Sequence, residues 1–282
     1  MRLITNIQEM RLFSSDVKKS GKTIVFVPTM GYLHDGHGSL LAKGRELGDI
    51  LVMSIFVNPI QFGAKEDYAA YPRDLNNDLK MAEANKVDIV FSPTAEDMYP
   101  EGFQTYIEVE RMSSHLCGLS RPGHFRGVAT VVIKLFNIIK PDTALFGEKD
   151  FQQLLVIKRM VQDLNIGIDV VGMPIIREED GLAMSSRNSH LNKSERKAAL
   201  CLFQAIMKGK DMYESGIKDA EPILKEVRNI IEEEPLAVVD YIRVCDINTL
   251  EDLEKITDKA LLALAVKIGK TRLVDNIVLS NS

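Results

Sequence analysis

"KTIVFVPTMGYLHDGHGSLLAKGREL", residues 22–47, decides the fold. It opens with a β-branched, aromatic run bounded by Gly21 and Pro28, the pattern of a strand covered on both faces. From His37 onward, "HGSLLAKGREL" carries apolar residues at helical spacing. Strand running straight into helix is the first half of a βαβ unit. Between the two lie His34, His37, Gly31, Gly36 and Gly38, more titratable and permissive residues than a structural turn needs.

The alternation continues along the chain. "DILVMSIFV" is a second strand ended by Asn58-Pro59, "DLNNDLKMAEANK" an amphipathic helix and "VDIVFSP" a third strand. "GVATVVIKLFNIIK" reads as a buried helix, "TALFG" as a strand, "DFQQLLVIKRMVQDL" as a helix and "IDVVGMP" as a strand. Upstream, "TNIQEMRLFSSDVKK" is a first helix with Thr5 and Gln8 at capping-box spacing. Residues 94–126, richer in Pro, Gly, Ser and aromatics, form an excursion or lid. About five parallel strands by residue 173 give a doubly wound, Rossmann-like α/β sheet. After "PIIREEDGLAMSSRNSHL" come two helical segments near 194–215 and 219–233. Three strands, "AVVDYIRVCD", "KALLALAVKIG" and "TRLVDNIVL", then make a small antiparallel sheet. The expected division is a Rossmann-like domain over 1–175 and a smaller α+β domain over 176–282.

Composition narrows the class. Hydrophobic content of 45% and charged content of 27% belong to a globular protein. A net charge of −5 argues against nucleic acid as the main partner. Cys117, Cys201 and Cys245 are odd in number and far apart, so neither a disulfide framework nor a zinc site is indicated. "MRLITNIQEM" turns polar too early for a signal peptide, and "ALLALAV" is far shorter than the ~20 residues of a membrane helix. A cytoplasmic protein is expected.

"PTMGYLHDGH" stands at a strand's carboxyl end, where open α/β sheets bind ligands. The helix start that follows offers unpaired N–H groups and a positive dipole end, and the two histidines add donors. A nucleotide phosphate is the natural guest. There is no GxxxxGK[ST], no GxGxxG and no HExxH. Metal ligation by the histidine pair, or a purely structural loop, are the competing readings. "LFGEKDFQQ", 145–153, offers Gly147 for the turn, Lys149 for phosphate, Asp150 as a cap and Gln153 one turn on; ordinary solvated cap residues are the plainer alternative. "MSSRN" sets Ser185 and Ser186 beside the forked donors of Arg187, suited to polyphosphate though also routine in loops. "VNPIQF" places the neutral amides of Asn58 and Gln61 beyond the second strand, suited to a small polar substrate. "RPGHFRGV" adds Arg121, His124 and Arg126, which equally suit loop tethering.

Taken in chain order, "PTMGYLHDGH", "FVNPIQF", "YPRD", "RPGHFRGV", "LFGEKDFQQ" and "REEDGLAMSSRN" resemble the pantoate–β-alanine ligase (pantothenate synthetase) family of the HxGH nucleotidyltransferase superfamily. The likeness covers roughly residues 1–280. Tyr32 stands where the family usually has a small residue, Gly38 where it usually has leucine, and Asn76 and Asn77 make "RDLNND" less acidic than usual.

The resemblance implies ATP-dependent condensation of (R)-pantoate with β-alanine, through pantoyl adenylate, to pantothenate, AMP and diphosphate. It implies that ATP meets Met30, Gly31, Tyr32, Leu33, His34, Asp35, Gly36 and His37, then Gly147, Glu148, Lys149 and Asp150, and finally Ile176, Met184, Ser185, Ser186 and Arg187. His37 is the implied proton donor, with His34, Lys149 and Arg187 in the catalytic set. Gln61 and Gln153 take pantoate, with Asn58 beside them and Gln61 near the β-alanine route. Mg2+ accompanies ATP, and Asp78 is the candidate metal-side residue. The adenylate must be kept from water, which gives residues 94–126 and the C-terminal domain a reason to close. A homodimer through the N-terminal domain is expected, with no nucleic-acid or membrane partner. A nucleotidylyltransferase of the same superfamily and a non-catalytic nucleotide-binding regulator are the alternatives.

Overall fold

From Arg2 to Met173 helices separate the six strands, and every strand of that stretch pairs in parallel. The computed structural model describes residues 1–63 and 68–280. In chain order the elements are β1 (Arg2–Ile4), α1 (Ile7–Lys19), β2 (Ile24–Thr29), α2 (Asp35–Leu47), β3 (Ile50–Ile55), α3 (Leu75–Ala84) and β4 (Ile89–Phe91). Three short helices follow, α4 (Ala95–Met98), α5 (Glu110–Ser113) and α6 (Leu116–Ser120). Then come α7 (His124–Ile139), β5 (Thr143–Gly147), α8 (Phe151–Asp163) and β6 (Asp169–Met173). The sheet order is β1-β4-β3-β2-β5-β6.

Residues Met1–Ser113, Arg121–Glu148 and Gln153–Pro174 form one unit; Ser114–Ser120, Lys149–Gln152 and Ile175–Ser282 form the other. In the first, Val25 and Val27 of β2, Leu51 and Met53 of β3 and Leu145 of β5 pack with Leu40 and Leu41 of α2. Both faces of the sheet must be covered for strands this apolar, and β2 through β4 are buried almost throughout.

Two details depart from the sequence expectation. β1 is a sixth strand; at three residues it is too short to show a period, yet Arg2, Leu3 and Ile4 pair with Ile89, Val90 and Phe91 at the sheet edge. The first helix is capped by Asn6, whose side chain accepts from the N–H groups of Gln8 and Glu9, rather than by Thr5.

The second unit has α9 (Lys193–Ala198), α10 (Leu200–Glu214), α11 (Ala220–Glu232), β7 (Ala237–Asp246), β8 (Ala260–Ile268) and β9 (Thr271–Leu279). The three strands form an antiparallel sheet in sequence order. Ile223, Val227 and Ile231 recur every four residues along α11 and are fully buried, with Leu202 and Ile206 of α10 and Leu262, Leu264 and Val266 of β8. Among the described residues no helix is long and apolar enough to cross a membrane.

Candidate active site

The chain steps from β2 outward to β3 and β4, then crosses back to place β5 on the other side of β2. That reversal makes the carboxyl ends of β2 and β5 the topological switch point, where open α/β sheets bind ligands. β2 pairs with β3 through Thr29↔Ile55, but with β5 only at Val25↔Thr143 and Phe26↔Ala144. β2 and β5 therefore part beyond Phe26. Pro28, which cannot donate to a ladder, falls within this unpaired stretch, so β2 runs past it to Thr29.

The loop that leaves β2 is tied at nearly every N–H. Thr29 Oγ1 donates to the Ser54 carbonyl at 2.7 Å and accepts from Gly31 N–H at 3.2 Å. Tyr32 N–H donates to Asp78 Oδ2 at 2.9 Å and Leu33 N–H to Asp78 Oδ1 at 2.7 Å. Gly31 and Tyr32 both adopt left-handed backbone, φ 81° and 52°. A Cβ on Gly31 would lie 2.8 Å from Asp78 Oδ2, so this close approach admits only glycine.

The histidines do more than stand beside a helix start: they are its cap. His34 is the N-cap of α2, and its Nδ1 accepts from Gly36 N–H at 3.2 Å. His37 Nδ1 accepts from His34 N–H at 3.3 Å, closing a reciprocal capping box. Of the N–H groups at this terminus, that of Gly36 is taken by the His34 imidazole, and those of His37 and Gly38 bond to the His34 carbonyl at 2.8 and 3.1 Å. Two consequences follow. An Nδ1 that accepts carries no proton, so the proton of each neutral ring sits on Nε2. The ring centroids are 4.2 Å apart, and charging both rings would oppose two cations while removing both cap acceptors.

Asp78 is 2% exposed, and burial pushes its carboxyl above the ordinary range, against the opposing pull of the Leu33 and Tyr32 N–H groups. Both of its oxygens are already engaged by that loop. Among the described residues no cluster of three or more His, Cys, Asp or Glu could hold a metal ion. The geometry makes Asp78 an anchor of that loop, with one N–H on each oxygen.

The amide pair beyond β3 also has an internal role. Asn58 is 1% exposed; its Nδ2 donates to Gln61 Oε1 at 2.9 Å and to the Gly127 carbonyl at 3.1 Å. Its Oδ1 accepts from the Tyr99 hydroxyl at 2.7 Å. With every polar atom of its side chain engaged, Asn58 holds Gln61 rather than reaching outward. Gln61 Nε2 faces Met30 Sδ at 3.2 Å, joining the amide to the loop that leaves β2. His124 Nδ1–H donates to the Gln61 carbonyl at 2.9 Å, and its Nε2 accepts from Arg121 at 3.0 Å, a tautomer opposite to that of His34. Gln61, His124 and Arg126 help line a cavity of about 430 Å³. Gln153 lies in the first turn of α8, half-buried.

The remaining candidates follow other elements. Gly147 ends β5, and Glu148–Asp150 form a 3₁₀ turn into α8, with the Lys149 carbonyl accepting from Asn276 Nδ2 at 2.9 Å. In the second unit, Met184 N–H donates to the Ile176 carbonyl at 3.0 Å, so these two residues face each other across a narrow ribbon. Ser186–His190 form a 3₁₀ turn capped by Ser185. Asn188 Nδ2 donates to Glu178 Oε1 at 2.8 Å, and Glu178 also pairs with Arg196 at 2.5 Å. Glu178, Asn188, Tyr99 and Thr29 were not singled out from the sequence. Only "REEDGLAMSSRN" as a block hinted at the first two.

A family model for pantoate-beta-alanine ligase matches residues 2–278. The chain belongs to the pantoate–β-alanine ligase family. The pantothenate synthetase of Geobacter sulfurreducens is 57% identical over 279 residues, 99% of each chain. A pantothenate synthetase crystal structure from Thermus thermophilus is 41% identical with a TM-score of 0.94, each chain covered in full. The pantoate-β-alanine ligase of Francisella tularensis, solved with β,γ-ATP and β-alanine, is 35% identical with a TM-score of 0.82, covering 100% of this chain and 99% of that one. The two departures from the usual ligase loop leave its ties intact. Tyr32 adopts a left-handed φ and still donates to Asp78, and Gly38 has open space where a Cβ would stand.

Proposed function

We infer that this chain joins pantoate to β-alanine with ATP, giving pantothenate, AMP and diphosphate. The observation that carries the reading is the reciprocal histidine cap at the switch point, which turns two protonated Nε2 atoms away from the helix backbone. A pantoate carboxylate oxygen bonds to the α-phosphorus while the bond to diphosphate breaks. Attack of an anion on a polyanion requires donors aimed at the departing charge. We assign this to His37 Nε2–H, with His34, Lys149, Ser185, Ser186 and Arg187 as further donors. The β-alanine nitrogen then bonds to the activated carbonyl carbon and AMP leaves. Gln61 and Gln153 hold the acid; Met30–His37, Gly147–Asp150, Ile176 and Met184–Arg187 hold ATP. Magnesium, when present on the nucleotide, would neutralise phosphate charge. The same reading includes a homodimer formed through the first unit, and residence in the cytoplasm.

The test separates the two half-reactions. Labelled diphosphate should exchange into ATP in the presence of pantoate alone, and pantothenate should appear once β-alanine is added. An AMP-containing product that persists with β-alanine present would favour a nucleotidylyltransferase. ATP binding without diphosphate release, across a panel of carboxylic acids, would favour a regulator.

A further inference from the structure

Tyr99, the residue that ends α4, lies far in sequence from every motif of the site. Its hydroxyl nevertheless meets Asn58 Oδ1 at 2.7 Å. The direction of each bond in this network can be deduced. The Gly127 carbonyl can only accept, so the Asn58 atom facing it at 3.1 Å is the amide nitrogen. The other end of that amide is then Oδ1, and the Tyr99 O–H must donate to it. The second hydrogen of Asn58 Nδ2 goes to Gln61, so the facing atom is Oε1 at 2.9 Å. Gln61 is thereby left with its NH2 group turned the other way, toward Met30 Sδ at 3.2 Å. Only one of its two hydrogens is taken up by that contact. The relay thus fixes both the position of Gln61 and its sense, presenting a donor.

We propose that Tyr99 is a positioning residue for the acid substrate, acting through Asn58 to keep the Gln61 amide turned as a donor toward it. This rests on the function proposed above, in which Gln61 contacts pantoate. Two further features fit the role. Burial raises the Tyr99 phenol well above its ordinary value, so it stays a protonated donor at any working pH. Its ring is held independently of the hydroxyl, in edge contact with Phe103 at 5.1 Å, near Phe56 at 6.2 Å, and with Lys134 Nζ 5.6 Å from its centroid. Removing the oxygen therefore leaves the packing in place and strips a buried acceptor of its donor.

The experiment is pantoate-dependent diphosphate exchange in Tyr99→Phe. The KM for pantoate should rise about tenfold with the KM for ATP unchanged, as expected when one buried partner is lost. In a Gln61→Ala background the same substitution should add nothing, because the relay then has no end to hold. Equal losses for both substrates, an unchanged pantoate KM, or full additivity with Gln61→Ala would each overturn the inference. Should Tyr99→Phe fail to fold, Asn58→Ser breaks the relay at its middle link and must give the same split. Absence of exchange in the unsubstituted protein would instead remove the functional reading itself.

Discussion

Asp78 Oδ1 accepts the backbone N–H of Leu33 at 2.7 Å, and its other oxygen accepts that of Tyr32 at 2.9 Å. A buried carboxylate on α3 therefore shapes the loop that leaves β2. Asp78→Asn would present an NH2 group to one of those two N–H donors and leave it unsatisfied, at a cost of roughly 1–3 kcal/mol. We expect the ATP KM in diphosphate exchange to rise about tenfold, since the loop is assigned to ATP. The pH dependence has a defined sign. Burial raises the folded carboxyl above its ordinary 3.8, so this group's contribution to stability grows as pH falls. ATP binding should weaken as pH falls through the raised value while the thermal midpoint shows no matching loss from this group. Loss of both together would contradict a loop-anchor role.

His37 supplies two separable things, a cap acceptor at Nδ1 and a donor at Nε2. His37→Asn keeps a short side-chain acceptor within reach of the first turn but removes the Nε2 donor. Exchange should fall by about 10² or more, as when a key transition-state donor is deleted, with little change in thermal stability. His37→Ala should lose activity to a similar degree and, lacking the cap, also about 1 kcal/mol of stability. Unchanged exchange in both variants would remove His37 from the chemistry.

Much of this is legible in the amino-acid sequence. Long strands such as "KTIVFVP" and "DILVMSIFV" declare themselves because both faces are apolar, and they mark where the site must sit. The two histidines stand out there as unusual, but their mutual cap does not, since ring orientation depends on which nitrogen meets which N–H. β1 escapes notice because three residues carry no period. Asn58 is the clearest case of contacts that the sequence does not show. Its amide suits a polar ligand, while the Tyr99 hydroxyl, 41 positions away, and the Gly127 carbonyl, 69 positions away, both bond to it in the fold. Long-range pairs of this kind leave no local pattern to read.

Gly127 marks where α7 presses on the turn that carries Gln61. A Cβ there would stand 2.4 Å from the Ile60 carbonyl oxygen and 2.6 Å from Gln61 Cα, both backbone atoms that cannot swing aside. Gly127→Ala must push the 59–61 turn away from the helix. We expect a loss of roughly 1–3 kcal/mol, read as a lowered unfolding midpoint, together with a raised pantoate KM. Gly38→Ala, where no atom lies within 4 Å of the added carbon, is the matched control and should be neutral or slightly stabilising.

Asp142 joins α1 to the start of β2. Its Oδ1 accepts from Lys18 Nζ at 2.5 Å and its Oδ2 from Ile24 N–H at 2.7 Å. Burial alone would raise the carboxyl, but the Lys18 hydrogen bond and charge and the Ile24 N–H outweigh it and hold it below the ordinary 3.8. A carboxyl lowered in the folded state stabilises the protein above its unfolded value, and that contribution is lost as pH falls through the folded one. Asp142→Asn keeps an acceptor for Ile24 while removing the charge that meets Lys18. Because both side chains are about a third or more exposed, solvent screens the pair, and a loss of about 1 kcal/mol at pH 7 is expected. The gap between the two proteins, measured by urea unfolding, should close as pH drops below about 3.8. A gap that stays constant into acid would mean that the lost stability comes from altered packing at the start of β2, and not from the charge.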